Sequence, residues 1–155
     1  MPTISIHFQA LVPGSVVLAK QGFQLAVELS VPEQLEKLLI AESKPVPAPL
    51  RGAGLVDTGA TFSMMDKEAV AHLCVSPVGV VTLGTAGGST QSPLYPVRLA
   101  ITTPPPNQPL LRAEFAGITA GPLKDCGLLC LIGRDILSNA TMVYDGGGGH
   151  VSLSF

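Results

Sequence analysis

The stretch GLVDTGATFSMM, from Gly54 to Met65, places one carboxylic acid, Asp57, inside an otherwise uncharged segment. Apolar residues precede Asp57 and Thr-Gly follows it, a pattern typical of a buried strand that ends in a turn. Burying an ionised carboxylate without partners carries a large free-energy cost. Either the fold neutralises Asp57, or the protein uses this carboxylate in its chemistry.

The composition is that of an apolar globular chain with little net charge. Of the 155 residues, 46% are hydrophobic and 13% are charged, and the net charge is -2. No basic patch indicates nucleic-acid binding, no apolar run approaches the ~18 residues of a membrane span, and the start lacks a secretory leader pattern. We therefore expect a soluble, cytoplasmic protein with about one domain over residues 1–155 that binds neither nucleic acid nor membrane.

Metal and cofactor sites find little support in the sequence. Cys74, Cys126 and Cys130 are sparse and odd in number, which favours buried structural thiols in a reducing compartment. The three histidines stand in unrelated contexts without the spacing of metal ligands. We expect no metal and no cofactor.

Short apolar segments separated by Gly and Pro predict a mainly β chain with little helix. Strands at Ile4–Leu11 and Gly22–Leu29 predict an N-terminal hairpin, and Ser30 three residues before Glu33 predicts a capping box that starts a helix. This helix and the Pro-rich connector after it form an insertion at about residues 30–52. Further strands are expected at Val78–Leu83, Tyr95–Ile101, Leu110–Ile118, Leu128–Ile132, Met142–Tyr144 and Val151–Phe155, and short helices at Asp66–Leu73 and from Arg134.

Two motifs resemble those of the retropepsin family, the single-lobe aspartic proteases. The family's first motif, apolar-apolar-Asp-Thr/Ser-Gly-Ala, is matched by Leu55 to Ala60, and its second, apolar-apolar-Gly-Arg-Asp/Asn, by Leu131 to Asp135. Their order and the Gly-rich hairpin between them make the match more specific than Asp-Thr-Gly alone. The resemblance covers the chain from about Leu50 onward. It implies a mainly β, single-lobe acid-protease-like closed β-barrel with short helices.

The resemblance also implies hydrolysis of peptide bonds by paired carboxylates. Two carboxylates about 3 Å apart cannot both ionise, so they share a proton and act as base and acid. Because the chain has one Asp-Thr-Gly, the resemblance implies a C2 homodimer with Asp57 of each chain at its axis. In the family, the residues matched by Thr58, Gly59 and Ala60 support the catalytic loop.

The segment GTAGGSTQSP, Gly84–Pro93, resembles the flap that covers the substrate in this family. Thr85, Ala86, Gly87 and Gly88 are the expected substrate-binding residues. The two glycines are expected at the tip, where their free φ lets the backbone hydrogen-bond an extended peptide. A plain hairpin loop is the alternative interpretation.

The second motif is expected to be structural. Gly133 precedes Arg134, interpreted as a buried member of an ion pair, and Asp135, interpreted as a helix-start residue. Thr61 and Phe62 stand where retroviral enzymes place carboxylates that hold the substrate backbone. The partner of Arg134 is therefore left open.

Two other segments also need an interpretation. Ser63 lacks the surroundings of a serine nucleophile and is interpreted as a polar cap ahead of the following helix. The terminal HVSLSF, His150 to Phe155, suits a dimer-interface strand or an internal strand.

Two functions are compatible with these motifs. The first is an aspartic endopeptidase that acts as a homodimer on extended polypeptide. The second is a non-catalytic dimerisation or peptide-binding module with the same fold. The intact Asp-Thr-Gly-Ala favours catalysis, because a binding module has no need of paired carboxylates.

Overall fold

In the computed structural model, which describes residues 3–7, 14–85, 87–102 and 109–155, most regular structure is β-strand. None of the described helices is long and apolar enough to cross a membrane. The strands are β1 (Thr3–His7), β2 (Gln24–Ser30), β3 (Leu50–Val56), β4 (Met64–Asp66), β5 (Gly79–Thr85), β6 (Gly88–Thr102), β7 (Pro109–Gly121), β8 (Cys130–Ile132), β9 (Thr141–Asp145) and β10 (His150–Ser154). The helices are α1 (Gly14–Gln21), α2 (Glu33–Ala41), α3 (Lys67–Leu73) and α4 (Arg134–Leu137), with a 3-10 turn at Lys124–Cys126.

The larger sheet brings the two sequence motifs together. Its seven strands lie in the order β2-β3-β8-β4-β7-β6-β5, and β2 also pairs with β6. β8 runs parallel to β3, with Val56 opposite Ile132, and antiparallel to β4. Because parallel strands end at the same edge of a sheet, Asp57 and Gly133 leave the sheet side by side.

The smaller sheet has the order β1-β10-β9. The predicted N-terminal hairpin is therefore wrong, because β1 pairs with the C-terminal strand and α1 occupies the predicted turn. Helix α1 buries Leu18, whose side chain is 1% exposed and joins the hydrophobic core. This burial favours the helix over the predicted turn. β10 is hydrogen-bonded to β1 on one side and β9 on the other, which supports the internal interpretation of the C-terminal segment.

Both sheets contribute to one continuous hydrophobic cluster. Its side chains come from strands of each sheet and from α1, α3 and α4, so β3, which leads into Asp57, is supported by packed aliphatic residues. The largest fully buried side chains include Leu18, Leu29, Met65, Leu73, Leu99, Ile101, Ile132 and Leu153.

Helix α2 forms where the sequence predicts it, but without the predicted capping box. Ser30 is the last residue of β2, and the N-cap is Pro32, which makes no side-chain cap hydrogen bond. The pairing of Ser30 with Arg98 of β6 keeps Ser30 in the sheet. Arg98 also ties the helix to the sheet through ion pairs with Glu36, at 2.9 Å, and with Glu114.

The expectation of buried thiols holds for one of the three cysteines. Cys130 lies in β8 and is fully buried, which raises the pKa of its thiol to about 12. Cys74 and Cys126 are exposed, contrary to the expectation. Cys74 is the left-handed C-cap of α3, and Cys126 lies in the 3-10 turn. Both positions are helical ends, which face solvent more often than a central strand does.

Asp66 begins α3, as the sequence predicts, and it has a second function. Its Oδ1 accepts the Glu68 N–H at 2.8 Å, and its Oδ2 accepts the N–H groups of Leu123 and Lys124 at 2.9 and 2.8 Å. Burial raises the pKa of the Asp66 carboxyl, but these three donors and the charge of Lys124 outweigh burial and hold that pKa below its ordinary value. The carboxylate thus joins α3 to the segment that follows β7.

We expect Asp66→Asn to lower the free energy of unfolding by about 2–4 kcal/mol at neutral pH, because the amide NH2 faces backbone N–H donors. Since the folded pKa is lowered, the carboxylate stabilises the protein above its unfolded pKa, and this stabilisation is lost as the pH falls through the folded pKa. Urea unfolding from about pH 7 to about pH 2 measures the difference from the wild type, which should shrink in acid. Asp125→Asn, at an exposed aspartate of the 3-10 turn, is the matched control. A difference that stays constant with pH would contradict the interpretation.

Candidate active site

Asp57 is the first residue after β3, and both its backbone and its side chain are fixed. Its N–H donates to the Ile132 carbonyl at 2.9 Å. Its Oδ1 accepts the N–H groups of Gly59 and Ala60 at 2.9 and 3.2 Å. No group among the described residues donates to Oδ2, and the side chain is half-buried. One carboxylate oxygen is therefore held by the loop, and the other is available.

The turn after Asp57 requires the small residue that the motif supplies. A Cβ at Gly59 would lie 3.1 Å from Asp57 Oδ1, so a side chain there would crowd the anchored oxygen. Thr58 is exposed and Ala60 is half-buried. The resemblance to the retropepsin family also implies that the Thr58 hydroxyl hydrogen-bonds across to the matching loop of a second chain, and this contact stays a prediction.

The second motif holds the segment from Asp57 to Ser63, here called the Asp57 loop, by backbone hydrogen bonds. The Arg134 N–H donates to the Ala60 carbonyl at 3.0 Å, and the Asp135 N–H donates to the Thr61 carbonyl at 3.3 Å. These bonds follow from the parallel pairing of β3 with β8, which places the start of α4 against the loop. The loop is thus positioned by a segment far away in the sequence.

The buried Ser63 and the half-buried Asp135 are hydrogen-bonded to each other at the end of this loop. The Ser63 N–H and hydroxyl donate to the two carboxylate oxygens of Asp135 at 2.9 and 2.7 Å, and Ser63 Oγ accepts the Gly133 N–H at 2.9 Å. The prediction that Ser63 caps the following helix is wrong, because the N-cap of α3 is Asp66 and the buried Ser63 hydroxyl donates to Asp135 instead. A Cβ at Gly133 would lie 2.6 Å from the Phe62 carbonyl carbon, so the two segments touch backbone to backbone. In the sequence, the sign of this contact is the Ser63 hydroxyl within a largely apolar segment.

Arg134 differs most from its prediction. Its side chain is exposed, and it forms no ion pair with any residue that the structure describes. Nη1 donates to the Thr58 carbonyl at 3.3 Å and Nη2 to Thr61 Oγ1 at 2.9 Å. The predicted buried ion pair is wrong because Thr61 offers a neutral hydroxyl where a carboxylate would be needed.

The hairpin of β5 and β6 is more regular than the sequence predicts. The two strands stay in register up to the pair Thr85 and Gly88, so most of the predicted loop Gly84–Pro93 is strand. Strand pairing satisfies the backbone of this polar segment. Gly87 lies in the turn and Gly88 has φ +121°, a conformation that favours glycine. Ala86 lies outside the described residues.

A pocket of about 270 Å³ lies between this hairpin and the Asp57 loop. Its polar lining residues are Ser63, Thr119 and Asp135, of which Ser63 and Asp135 are hydrogen-bonded to each other, and the rest of the lining is apolar or glycine. Such a space suits an apolar side chain of a bound molecule. The apolar lining residues are Phe62, Val81, Leu94 and Ile118.

At this site Asp57 offers one carboxylate oxygen, Oδ2, that accepts no hydrogen bond from the described part of the chain. Asp57 can accept a proton from water or share one with a second carboxyl group. Asp135 cannot be that second group in the same chain, because its oxygens accept hydrogen bonds from Ser63 and from the Ile136 N–H. In the described ranges, no group of three His, Cys, Asp or Glu side chains is placed to hold a metal ion.

Comparisons with known proteins add no family assignment. No protein-family model matches the chain, and no curated protein matches it. The resemblance to retropepsins therefore rests on the two sequence motifs. Their residues are adjacent in the structure through the pairing of β3 with β8 and through the hydrogen bonds between the Asp57 loop and α4.

Proposed function

We propose that the protein is an aspartic endopeptidase of the retropepsin type, active as a C2 homodimer with one Asp57 from each chain. The observation that carries this proposal is the geometry of the Asp57 carboxylate. Gly59 and Ala60 hold Oδ1, and Oδ2 has no donor among the described residues. Oδ2 is therefore the atom that water or a second Asp57 would contact.

The proposed reaction uses the single proton that two adjacent carboxyl groups share. The ionised Asp57 takes a proton from water as the water oxygen attacks the peptide carbonyl carbon, and the protonated Asp57 gives its proton to the carbonyl oxygen. The C–N bond then breaks. The amine leaves with the proton taken from water, and a hydroxyl of the intermediate returns its proton to the other carboxylate. The pair ends with one proton, as it began.

The single-lobe acid-protease-like closed barrel is part of the same proposal. The pairing of β2 with both β3 and β6 supports it, because it links strands from distant positions of the large sheet. We assign the β5–β6 hairpin as the flap. Its strand β5 contributes Val81 to the apolar pocket beside the Asp57 loop, and Phe62 contributes from the loop itself. A bound polypeptide would lie between them.

A reducing, cytoplasmic location also belongs to the proposal. Cys74 and Cys126 are both exposed and unpaired by disulfides, which is the usual state of surface thiols in a reducing compartment.

A peptide library tests the proposed function. We expect internal cleavage of extended peptides, with a rate maximum at about pH 4 to 6 and an apolar residue enriched at one position near the cleaved bond. Light scattering at the assay concentration establishes that dimers are present. No cleavage of any peptide from about pH 3 to about pH 8 by a dimeric sample would contradict the proposal.

A further inference from the structure

The Arg134 guanidinium is an oriented positive charge that pairs with no carboxylate among the described residues. Two neutral oxygens, those of Thr58 and Thr61, orient it. A guanidinium has several N–H donors in one plane, so these two contacts leave others free. Its side chain is exposed, and no carboxylate of the described part of the chain pairs with it. An oriented guanidinium loses little freedom on binding a carboxylate.

The position of this charge is set by the loop that it contacts. The Thr58 carbonyl follows Asp57 directly, and Thr61 precedes Phe62, which lines the apolar pocket. The guanidinium therefore borders the stretch between the candidate catalytic carboxylate and the pocket. An extended chain that places a peptide bond at Asp57 and a side chain in the pocket would run along this stretch.

We propose that Arg134 binds an acidic side chain of the polypeptide substrate, so that the enzyme prefers sequences with a carboxylate near the cleaved bond. This inference rests on the proposed endopeptidase function. A guanidinium pairs with a carboxylate through two parallel hydrogen bonds, which selects Glu or Asp over the neutral Gln or Asn. The loop from Thr58 to Ser63 carries no acidic residue that would compete for the guanidinium.

Paired peptides that differ only by Glu or Gln, scanned through each position around the cleaved bond, test this inference. We expect the wild type to prefer Glu at one position by about tenfold or more in kcat/KM. Arg134→Gln should remove that preference. Thr61→Asp should remove it as well while keeping Arg134, because the new carboxylate would lie against the guanidinium. Arg112→Gln, which removes an exposed arginine of β7, is the matched control and should keep the preference.

A binding measurement separates this inference from the proposed function. Fluorescence anisotropy with labelled Glu and Gln peptides, on Asp57→Asn protein with and without Thr61→Asp, does not depend on turnover. Cleavage with equal rates for Glu and Gln peptides would overturn the inference and leave the endopeptidase in place. A preference that survives both Arg134→Gln and Thr61→Asp would also overturn it. Glu-dependent binding without cleavage by the wild type would support Arg134 as a carboxylate receptor and contradict the endopeptidase. If the peptides are neither bound nor cleaved, both the inference and the proposed endopeptidase function are overturned.

Discussion

Replacing Asp57 by Asn is expected to lower kcat/KM for peptide hydrolysis by about 10⁴-fold or more, because the one substitution removes both the acid and the base of the dimer. At the expected optimum of about pH 4 to 6, an amide neither accepts a proton from water nor delivers one to a carbonyl oxygen. Steady-state kinetics on a peptide selected from the library measures the effect.

The same substitution should leave the fold intact. The carbonyl oxygen of the introduced amide side chain can accept the N–H groups of Gly59 and Ala60 that Asp57 Oδ1 accepts now. Backbone bonds from Arg134 and Asp135 hold the loop independently of the side chain at position 57. We therefore expect an unchanged circular dichroism spectrum and a thermal midpoint close to that of the wild type.

Asp125→Asn is the matched control for this experiment, since it makes the same chemical change at an exposed position of the 3-10 turn. It should retain wild-type kinetics. Retained hydrolysis in Asp57→Asn protein would remove Asp57 from the catalytic assignment, whatever the control does.

Mixing the wild type with Asp57→Asn protein should inhibit it, because each chain supplies one carboxylate of the pair. At equal amounts, random pairing leaves about half of the wild-type protomers in wild-type dimers, so the rate per wild-type protomer should fall to about half. Excess variant should bring it close to zero. Heterodimers contain one carboxyl group and one amide, which cannot share a proton as two carboxyl groups do.

Dilution tests independently whether activity requires the dimer. Below the dimer dissociation constant, the rate should grow with the square of the protomer concentration, while sedimentation reports assembly separately. Excess Asp125→Asn protein, which keeps Asp57, should not inhibit. A monomer whose specific activity is independent of concentration, and which excess Asp57→Asn protein leaves unaffected, would contradict the homodimer.

The amino-acid sequence by itself determined the local features near Asp57. Apolar residues followed by Asp-Thr-Gly predict a strand that ends in a turn, and β3 ends at Val56. Asp66 ahead of an amphipathic segment predicts the start of α3, and the Asp66 side chain accepts the Glu68 N–H. Leu35, Leu38 and Leu39 stand at helical spacing ahead of Lys44-Pro45, a pattern that predicts a helix where α2 lies. These predictions succeed because strand, turn and cap preferences depend on a few neighbouring residues.

Only the tertiary structure decided the partners of these segments. The sequence predicts Ser63 as a helix cap, but the sheet brings Asp135 beside it, and Ser63 is buried and donates to that carboxylate instead. The pairing of β1 with β10 replaced the expected hairpin because burying Leu18 of α1 against the core outweighs a local turn preference.

In the second motif, too, the sequence identified the residues and the tertiary structure decided their contacts. Its resemblance to a known pattern identified Gly133 and Arg134, but their contacts follow from the parallel pairing of β3 with β8. That pairing brings Gly133 against the Phe62 backbone and leaves Arg134 exposed on Thr58 and Thr61. Residue type determines which hydrogen bonds a side chain can make. Long-range strand pairing determines which groups come within hydrogen-bonding distance and whether the side chain is exposed to water.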